Sequence, residues 1–188
     1  MSVTETRQRL LDETGRLLSE RSYNGFSYAD LSSSLGIRKP SIHYHFPRKH
    51  DLVSEVIRSY AHGFVGWMHQ QADRSGSEQL RAYFDLFEGF VREGRACPTA
   101  TLVAEWGTLP DPVVVELTRL MNTQVDWLTG VLERGREREQ FHFEGLAAEL
   151  ARLVASTVQG AMLSARALGL PVYRQIVGQL SSLLRTAS

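Results

Sequence analysis

Basic side chains are concentrated in one segment of the sequence, residues 37–50, which contains no acidic residue. Only two of the 21 basic residues of the chain are lysines, and both, Lys39 and Lys49, lie in this segment with Arg38, Arg48 and three of the six histidines. Lysine and arginine neutralise phosphates and also donate hydrogen bonds to guanine. Because the whole chain is neutral, this local excess predicts an anionic partner, with a merely solvated basic face as the alternative.

Two short helices are predicted to position these basic side chains. Ser27 followed by Asp30 resembles a capping box, which opens a helix over 28–35 that ends at the next glycine. Pro40 suits the first turn of a second helix over 39–45. Two short helices joined by a glycine turn, with polar and basic groups on the second, are typical of a helix-turn-helix, whose second helix enters the DNA major groove.

Helical periodicity extends over nearly the whole chain, so the predicted fold class is all-α with about nine helices. Asn24 and Gly25 suit a left-handed exit from the first helix. Besides the two short helices, the predicted helices cover residues 4–21, 50–73, 77–93, 99–107, 112–139, 146–168 and 172–186. We expect a helix-turn-helix DNA-binding domain over residues 1–48 and an effector-binding and dimerisation domain over residues 49–188.

Composition excludes several classes of protein. No apolar run has the length of a membrane span and the N-terminus lacks the apolar part of a signal peptide, so we expect a cytoplasmic protein without a membrane partner. A single cysteine excludes internal disulfides and multi-cysteine zinc sites, and His43 and His45 diverge on a helix, so we expect no metal and no cofactor. The sequence has no phosphate-binding loop and no nucleophile motif, which argues against an enzyme.

Residues 36–52, read as GIRKPSIHYHFPRKHDL, resemble the signature of TetR-family transcriptional regulators. The positions that match are Ser41, Ile42, His45, Phe46, Lys49 and Leu52. His43 departs from the family pattern, which often has tyrosine there, and Tyr44 follows it. The resemblance covers residues 7–55 in detail, and the rest of the chain is similar in plan, as an all-helical body that ends in two long helices.

The resemblance implies a role for each polar position near the second short helix. The residues implied at base edges are Arg38, Lys39, Pro40 and His43. The residues implied at phosphates are Ser27, Tyr28, Ser41, Tyr44 and Lys49. Two alternatives stay open: Tyr44 packed against the first helix, and His45 as a buried, hydrogen-bonded ring that steadies the second.

The C-terminal body is predicted to dimerise and to bind an effector. Apolar stripes over 146–168 and 172–186 are expected to pair about a two-fold axis, which places a homodimer on a palindromic operator in double-stranded DNA. Large soft side chains with two glutamines predict a pocket for a small apolar effector, and ordinary core packing is the alternative. The predicted lining is Phe64, Trp67, Met68, Phe87, Trp106, Met121, Gln124 and Gln159.

These features predict a sequence-specific regulator of transcription, in the form of a homodimeric repressor released by a ligand. Cys97 suggests an alternative of the same family, in which an electrophile or an oxidant is sensed through this thiol, because Arg92 and Arg95 lie nearby in the sequence. A lone cysteine is more often a small buried hydrophobe. A helical bundle that binds small molecules without DNA is disfavoured by the basic segment.

Overall fold

The computed structural model describes residues 3–184, and helices account for most of them. The helices are α1 (Val3–Arg21), α2 (Tyr28–Leu35), α3 (Lys39–His45), α4 (Lys49–Gln71), α5 (Gly76–Arg92), α6 (Pro98–Ala104), α7 (Asp111–Glu137), α8 (Ala147–Leu168) and α9 (Leu170–Leu183), with a 3-10 turn at Trp106–Thr108. The described residues contain no strand, which confirms the all-α prediction. The predicted domain start at residue 1 and helix end at residue 186 lie outside them. Over the described residues, no helix is both long and apolar enough to cross a membrane.

Internal contacts divide the described chain into two compact units. The first contains the residues up to Gly63 together with Pro98–Leu120, and the second contains Phe64–Cys97 and the residues from Met121 onward. The helices α4 and α7 each continue from one unit into the other. The functional boundary expected after residue 48 stays a prediction, because a unit defined by contacts does not show what its residues bind.

Local signals position α2 and α3 in the first unit. The Asp30 carboxylate accepts a hydrogen bond from the Ser27 N–H at 2.8 Å while the Ser27 hydroxyl caps the helix, so the predicted capping box is present. Gly36 ends α2 in the left-handed region at φ 65°, which glycine adopts without a Cβ clash. Pro40 lies in the first turn of α3, as predicted. Leu31 and Ile42 are fully buried and hold the two helices on the core.

The α1–α2 turn, residues 22–27, differs from the prediction. The left-handed residue is Ser22, at φ 59°, and not Asn24 or Gly25. Gly25 is needed for a different reason: a Cβ there would lie 2.1 Å from the Arg21 carbonyl oxygen. The turn therefore folds back tightly on the end of α1, and those of its backbone groups that the helices do not pair must find other partners.

An ion-pair chain connects three helices of the first unit. Arg7 of α1 donates to Glu55 of α4 at 2.7 Å, Glu55 also accepts from Arg58 at 2.7 Å, and Arg58 reaches Glu116 of α7 at 3.1 Å. Hydrogen bonds from Arg7 and then from Arg58 hold the pKa of the Glu55 carboxyl below its usual value. This chain ties the start of α1 to the helix that follows α3.

The second unit is built around α8 and α9, which pack against each other and against α5. Only Gly169 separates the two helices, and its φ of 87° makes the tight connection possible. The Tyr173 hydroxyl donates to the Phe84 carbonyl at 2.7 Å and joins α9 to α5. The apolar residues that face inward from α8 are Ala147, Ala151, Val154, Val158, Ala161, Met162 and Ala165.

Candidate nucleic-acid interface

The outward face of α3, with its N-cap, is polar and basic. Ile42 is fully buried and sets the rotation of this helix about its axis. The exposed residues are Arg38, Lys39, Pro40, His43 and Tyr44. Tyr44 is 75% exposed, so the alternative in which it packs against α1 is wrong. Ser41 is half-buried at the side of this face. The structure thus brings the four residues predicted at base edges onto one accessible surface.

The two basic residues at the start of α3 are free to bind an anion. Within residues 3–184, the side chains of Arg38 and Lys39 have no ion-pair partner. Arg48, the other arginine of the basic segment, pairs with Asp51 at 3.2 Å. Among the described residues, the exposed cations of the segment without an ion pair are therefore Arg38 and Lys39, where α3 begins.

Tyr28 contacts the C-terminal end of α3 through both its hydroxyl and its ring. Its hydroxyl donates to the Phe46 carbonyl at 2.9 Å, and its ring meets the edge of the His43 ring with centroids 4.9 Å apart. Burial first, and the charge of Asp51 second, raise the pKa of this hydroxyl, so it stays protonated. A phosphate contact through the Tyr28 hydroxyl needs the one O–H that is already donated to the Phe46 carbonyl. The phosphate contact predicted for Tyr28 stays a prediction.

Lys49 is held inside the head, which comprises α1–α3 with the start of α4, and is not extended to solvent. Its ammonium donates to the backbone carbonyls of Tyr23 and Phe26 and lies over both rings, 4.5 Å and 4.0 Å from their centroids. Burial lowers the pKa of this half-buried group. The phosphate contact predicted for Lys49 stays a prediction, but two of its three N–H donors are occupied by the α1–α2 turn.

The remaining residues of the predicted interface take intermediate positions. Ser27 is exposed, and its hydroxyl donates to Asp30 at 2.7 Å while capping α2. His45 is half-buried against the ring of Tyr44, and its ring nitrogens have no hydrogen bond within the described residues. The alternative of a buried, hydrogen-bonded His45 is therefore wrong.

The segment around α6 also binds the α1–α2 turn. The Glu105 carboxylate accepts from the Asn24 N–H at 2.9 Å, and the Asn24 side chain donates to the Thr108 hydroxyl at 2.7 Å. The Ser22 hydroxyl donates to the Thr101 carbonyl at 2.8 Å. About 80 residues separate these partners in sequence, and no local pattern signals such contacts.

An aromatic cluster occupies the second unit. It consists of Phe64, Trp67, Tyr83, Phe87 and Trp127. Between ring centroids, Trp67 lies 5.5 Å from Phe64 and 5.1 Å from Trp127. The Tyr83 centroid lies 5.9 Å from that of Trp127 and 4.8 Å from that of Phe87. Three predicted effector residues, Phe64, Trp67 and Phe87, belong to this cluster, whereas Tyr83 and Trp127 were not predicted.

The other predicted effector residues are distributed differently. Gln124 is buried, and Met68, Met121 and Gln159 are half-buried in the second unit. Trp106 lies in the 3-10 turn of the first unit and is 46% exposed, so it is not part of the aromatic cluster. Cys97 is buried just before α6, with 5% of its surface exposed.

Exposed apolar residues follow one side of α8. Leu153 and Leu163 are 57% and 49% exposed, and Gly160 lies between them on the same side. Leu183 of α9 is also exposed. The predicted stripe of 146–168 is thus two faces, because Val154 and Met162 point into the unit while Leu153 and Leu163 point away from it.

Models of known families match both parts of the chain. The model for bacterial regulatory proteins of the tetR family matches residues 10–56, and the model for a tetracyclin repressor-like C-terminal domain matches residues 76–179. A crystal structure of a TetR-family transcriptional regulator from Agrobacterium tumefaciens is 34% identical, with a TM-score of 0.94 over 98% of this chain and 100% of that one.

Two similar proteins have names that state a function. The HTH-type transcriptional repressor DhaR of Mycobacterium sp. (strain GP1) is 22% identical over 165 residues, which span 87% of this chain and 83% of that protein. The negative transcriptional regulator IcaR of the biofilm operon icaADBC in Staphylococcus epidermidis is 25% identical over 92 residues, which span 46% of this chain and 50% of that protein.

Proposed function

The chain belongs to the TetR family of bacterial regulatory proteins, a family of DNA-binding transcriptional regulators, and we propose that it is a homodimeric repressor released from DNA by a small effector. The observation that carries this proposal is the exposed face of α3, on which Arg38 and Lys39 are unpaired among the described residues. A helix of this kind fits the major groove, where bases present distinct donors and acceptors.

Base recognition is proposed for the start of α3. Arg38 and Lys39 donate to guanine O6 and N7, Pro40 offers apolar surface to a thymine methyl, and His43 reads a neighbouring edge. Ser27, Ser41 and Tyr44 flank this face and contact phosphates, which orient the helix without reading sequence. Lys49 and Tyr28 instead support the head from inside, through their bonds to backbone carbonyls.

Dimerisation is proposed through the exposed side of α8 and the adjoining α9. A second helix packed on this side would remove the exposed side chains of Leu153 and Leu163 from water. Gly160, between them, permits its close approach. Two protomers related by a two-fold axis at this surface form a four-helix interface from α8 and α9 of each. The dimer then presents two α3 helices to the DNA. A palindromic operator then has half-sites about 34–36 Å apart, or one turn of DNA.

Release requires that the effector bind preferentially to a conformation whose two α3 helices no longer match the operator. The α1–α2 turn is held by Lys49 at the start of α4 and by Glu105 after α6. A change in the tilt of α4 therefore acts on the head through Lys49 directly. Sensing through Cys97 is not favoured, because the thiol is buried. A regulator of this kind works at the chromosome, which accords with the expected cytoplasmic location.

The proposal is tested by fluorescence anisotropy with labelled DNA from upstream of the gene. We expect specific binding at moderate salt, and a loss of sequence discrimination in the Arg38→Ala and Lys39→Ala variants, each by about 1–3 kcal/mol at one base pair. Arg138→Ala, an exposed change in the second unit, is the matched control and should leave binding unchanged. A folded dimer that binds this DNA no better than random DNA of equal length would sink the proposal.

A further inference from the structure

Two buried polar atoms in or beside the aromatic cluster have no hydrogen-bond partner among the described residues. The Tyr83 side chain is 0% exposed, yet its hydroxyl has no hydrogen-bond partner within residues 3–184. Buried hydroxyls are almost always paired, because the desolvation penalty is otherwise unopposed. At the other end of the cluster, the Gln71 Nε2 donates to the Trp67 carbonyl at 3.2 Å, and its Oε1 is likewise unpartnered.

The Tyr83 hydroxyl is a donor at every physiological pH. Burial, and to a lesser extent the neighbouring Cys97, raises the pKa of Tyr83, so that the proton is retained. A protonated hydroxyl in an apolar site binds a neutral acceptor, such as a carbonyl oxygen, more favourably than it binds another apolar group.

The rings around Tyr83 favour a flat, apolar partner. Phe64 and Trp67 stack with their planes 20° apart, and Trp127 meets them at steep angles. Trp67 and Trp127 are only partly buried, so these two residues keep some accessible surface, whereas Tyr83 keeps none. Rings arranged in this way gain most from a further aromatic ring that stacks or meets them edge-on.

Charge is excluded from this environment by the composition of the core. Among the described residues, the buried polar side chains are threonine, serine and glutamine, and none of them is charged. A buried ionic ligand would have no counter-charge there, which is costly. A cation over the ring faces is the competing possibility, but here the rings pack against one another and no buried carboxylate accompanies them.

We propose that the aromatic cluster binds an uncharged planar aromatic compound that carries a carbonyl group, which accepts the hydrogen bond that the Tyr83 hydroxyl does not make in the fold. This inference rests on the proposed function, since it names the chemical class of the effector. It assigns Trp67 and Trp127 to the ring of the compound and Tyr83 to its carbonyl.

A matched pair of probes tests the assignment: 2-acetylnaphthalene and 2-ethylnaphthalene, which share the ring system and differ in the carbonyl. Binding is followed by quenching of tryptophan fluorescence in a Trp106→Phe background, so that the remaining indoles, Trp67 and Trp127, belong to the aromatic cluster. We expect the acetyl compound to bind about tenfold more tightly, and the Tyr83→Phe variant to bind the two compounds equally.

Tyr173→Phe is the control, because Tyr173 is also buried but its hydroxyl is paired with the Phe84 carbonyl. This variant should keep the tenfold preference. Equal binding of both probes to the unmodified background, no quenching by either, or tighter binding of tetraethylammonium than of the acetyl compound each overturns the proposal.

The measurement on protein alone separates this proposal from the proposed function. If the protein binds its upstream DNA but neither probe quenches the indoles, the effector class is wrong and the regulator stands. If the acetyl compound binds with the predicted preference but the protein binds no DNA specifically, the effector class stands and the repressor is wrong.

Discussion

The ammonium of Lys49 lies 4.0 Å from the centre of the Phe26 ring and donates to the carbonyl of the same residue. A second bond to the Tyr23 carbonyl makes Lys49 the partner of two backbone acceptors in the α1–α2 turn. The first residue of α4 thereby holds the α1–α2 turn in place. The sequence predicts a phosphate contact for Lys49, a residue of the family signature. In this fold its ammonium also binds the backbone carbonyls of a neighbouring turn.

We predict that Lys49→Ala destabilises the protein by roughly 2 kcal/mol, because two buried carbonyls lose a charged donor. Its DNA affinity should fall for all sequences, while the slope of affinity against salt concentration stays the same. Lys39→Ala, at an exposed position, should change stability by less than about 0.5 kcal/mol and should weaken sequence discrimination while leaving that slope nearly unchanged. Urea unfolding and salt titrations measure these quantities. A slope that falls by about one unit in Lys49→Ala would assign Lys49 to a phosphate.

Gly25→Ala is expected to destabilise the head by roughly 2 kcal/mol, because the new Cβ would lie 2.1 Å from a backbone oxygen that cannot move alone. In Gly66→Ala, within α4, the added carbon lies within 4 Å of no described atom other than those of its chain neighbours and the backbone of its own helix. This change should instead stabilise by about 0.5–1 kcal/mol. Thermal unfolding of both variants provides the comparison. If both variants were stabilised, the tight turn described for residues 22–27 would be wrong.

Glu55→Gln should cost about 0.5–1 kcal/mol at neutral pH, the amount typical of half-exposed ion pairs. The folded pKa of Glu55 lies below its unfolded value, so its contribution is present above about pH 4.3 and is lost as the pH falls through the folded pKa. The stability difference between the wild type and this variant should therefore shrink on acidification. Glu133→Gln, an exposed residue with no ion pair in the described chain, should show no such trend.

Tyr83→Phe should raise the free energy of unfolding by about 1 kcal/mol, since it removes an unpaired buried hydroxyl and keeps the ring. Tyr173→Phe should lower the same quantity by about 1–2 kcal/mol, because the Phe84 carbonyl then loses its donor. Denaturant titrations should show that the change in the free energy of unfolding has opposite signs in the two variants. A loss of stability in Tyr83→Phe would mean that this hydroxyl is satisfied in the folded protein.

Leu163→Arg is predicted to convert the dimer to a monomer, since it introduces a charge into the exposed apolar side of α8 without touching the core. Val115→Arg is the matched control, because Val115 is similarly exposed but lies on α7. Analytical ultracentrifugation distinguishes the outcomes. A dimer that persists in Leu163→Arg and dissociates in Val115→Arg would place the interface elsewhere.

The sequence alone sufficed where an element depends on residues a few positions apart. The Ser27–Asp30 box, the end of α2 at Gly36 and Pro40 in the first turn of α3 were all predicted from local spacing, and all are present. The helical fold class follows from the same kind of signal, because backbone hydrogen bonds in a helix join residues i and i+4.

Tertiary structure decided the partners of groups that are distant along the chain. Lys49 meets carbonyls 23 and 26 residues away, Glu105 meets Asn24 across 81 residues, and Trp106 is separated from the aromatic cluster. Periodicity identified α8 as apolar but did not show that Val154 faces inward while Leu153 faces outward. A pattern of side chains records which residues avoid water, whereas the packing of other helices determines which of them are covered and which polar atoms remain without a partner.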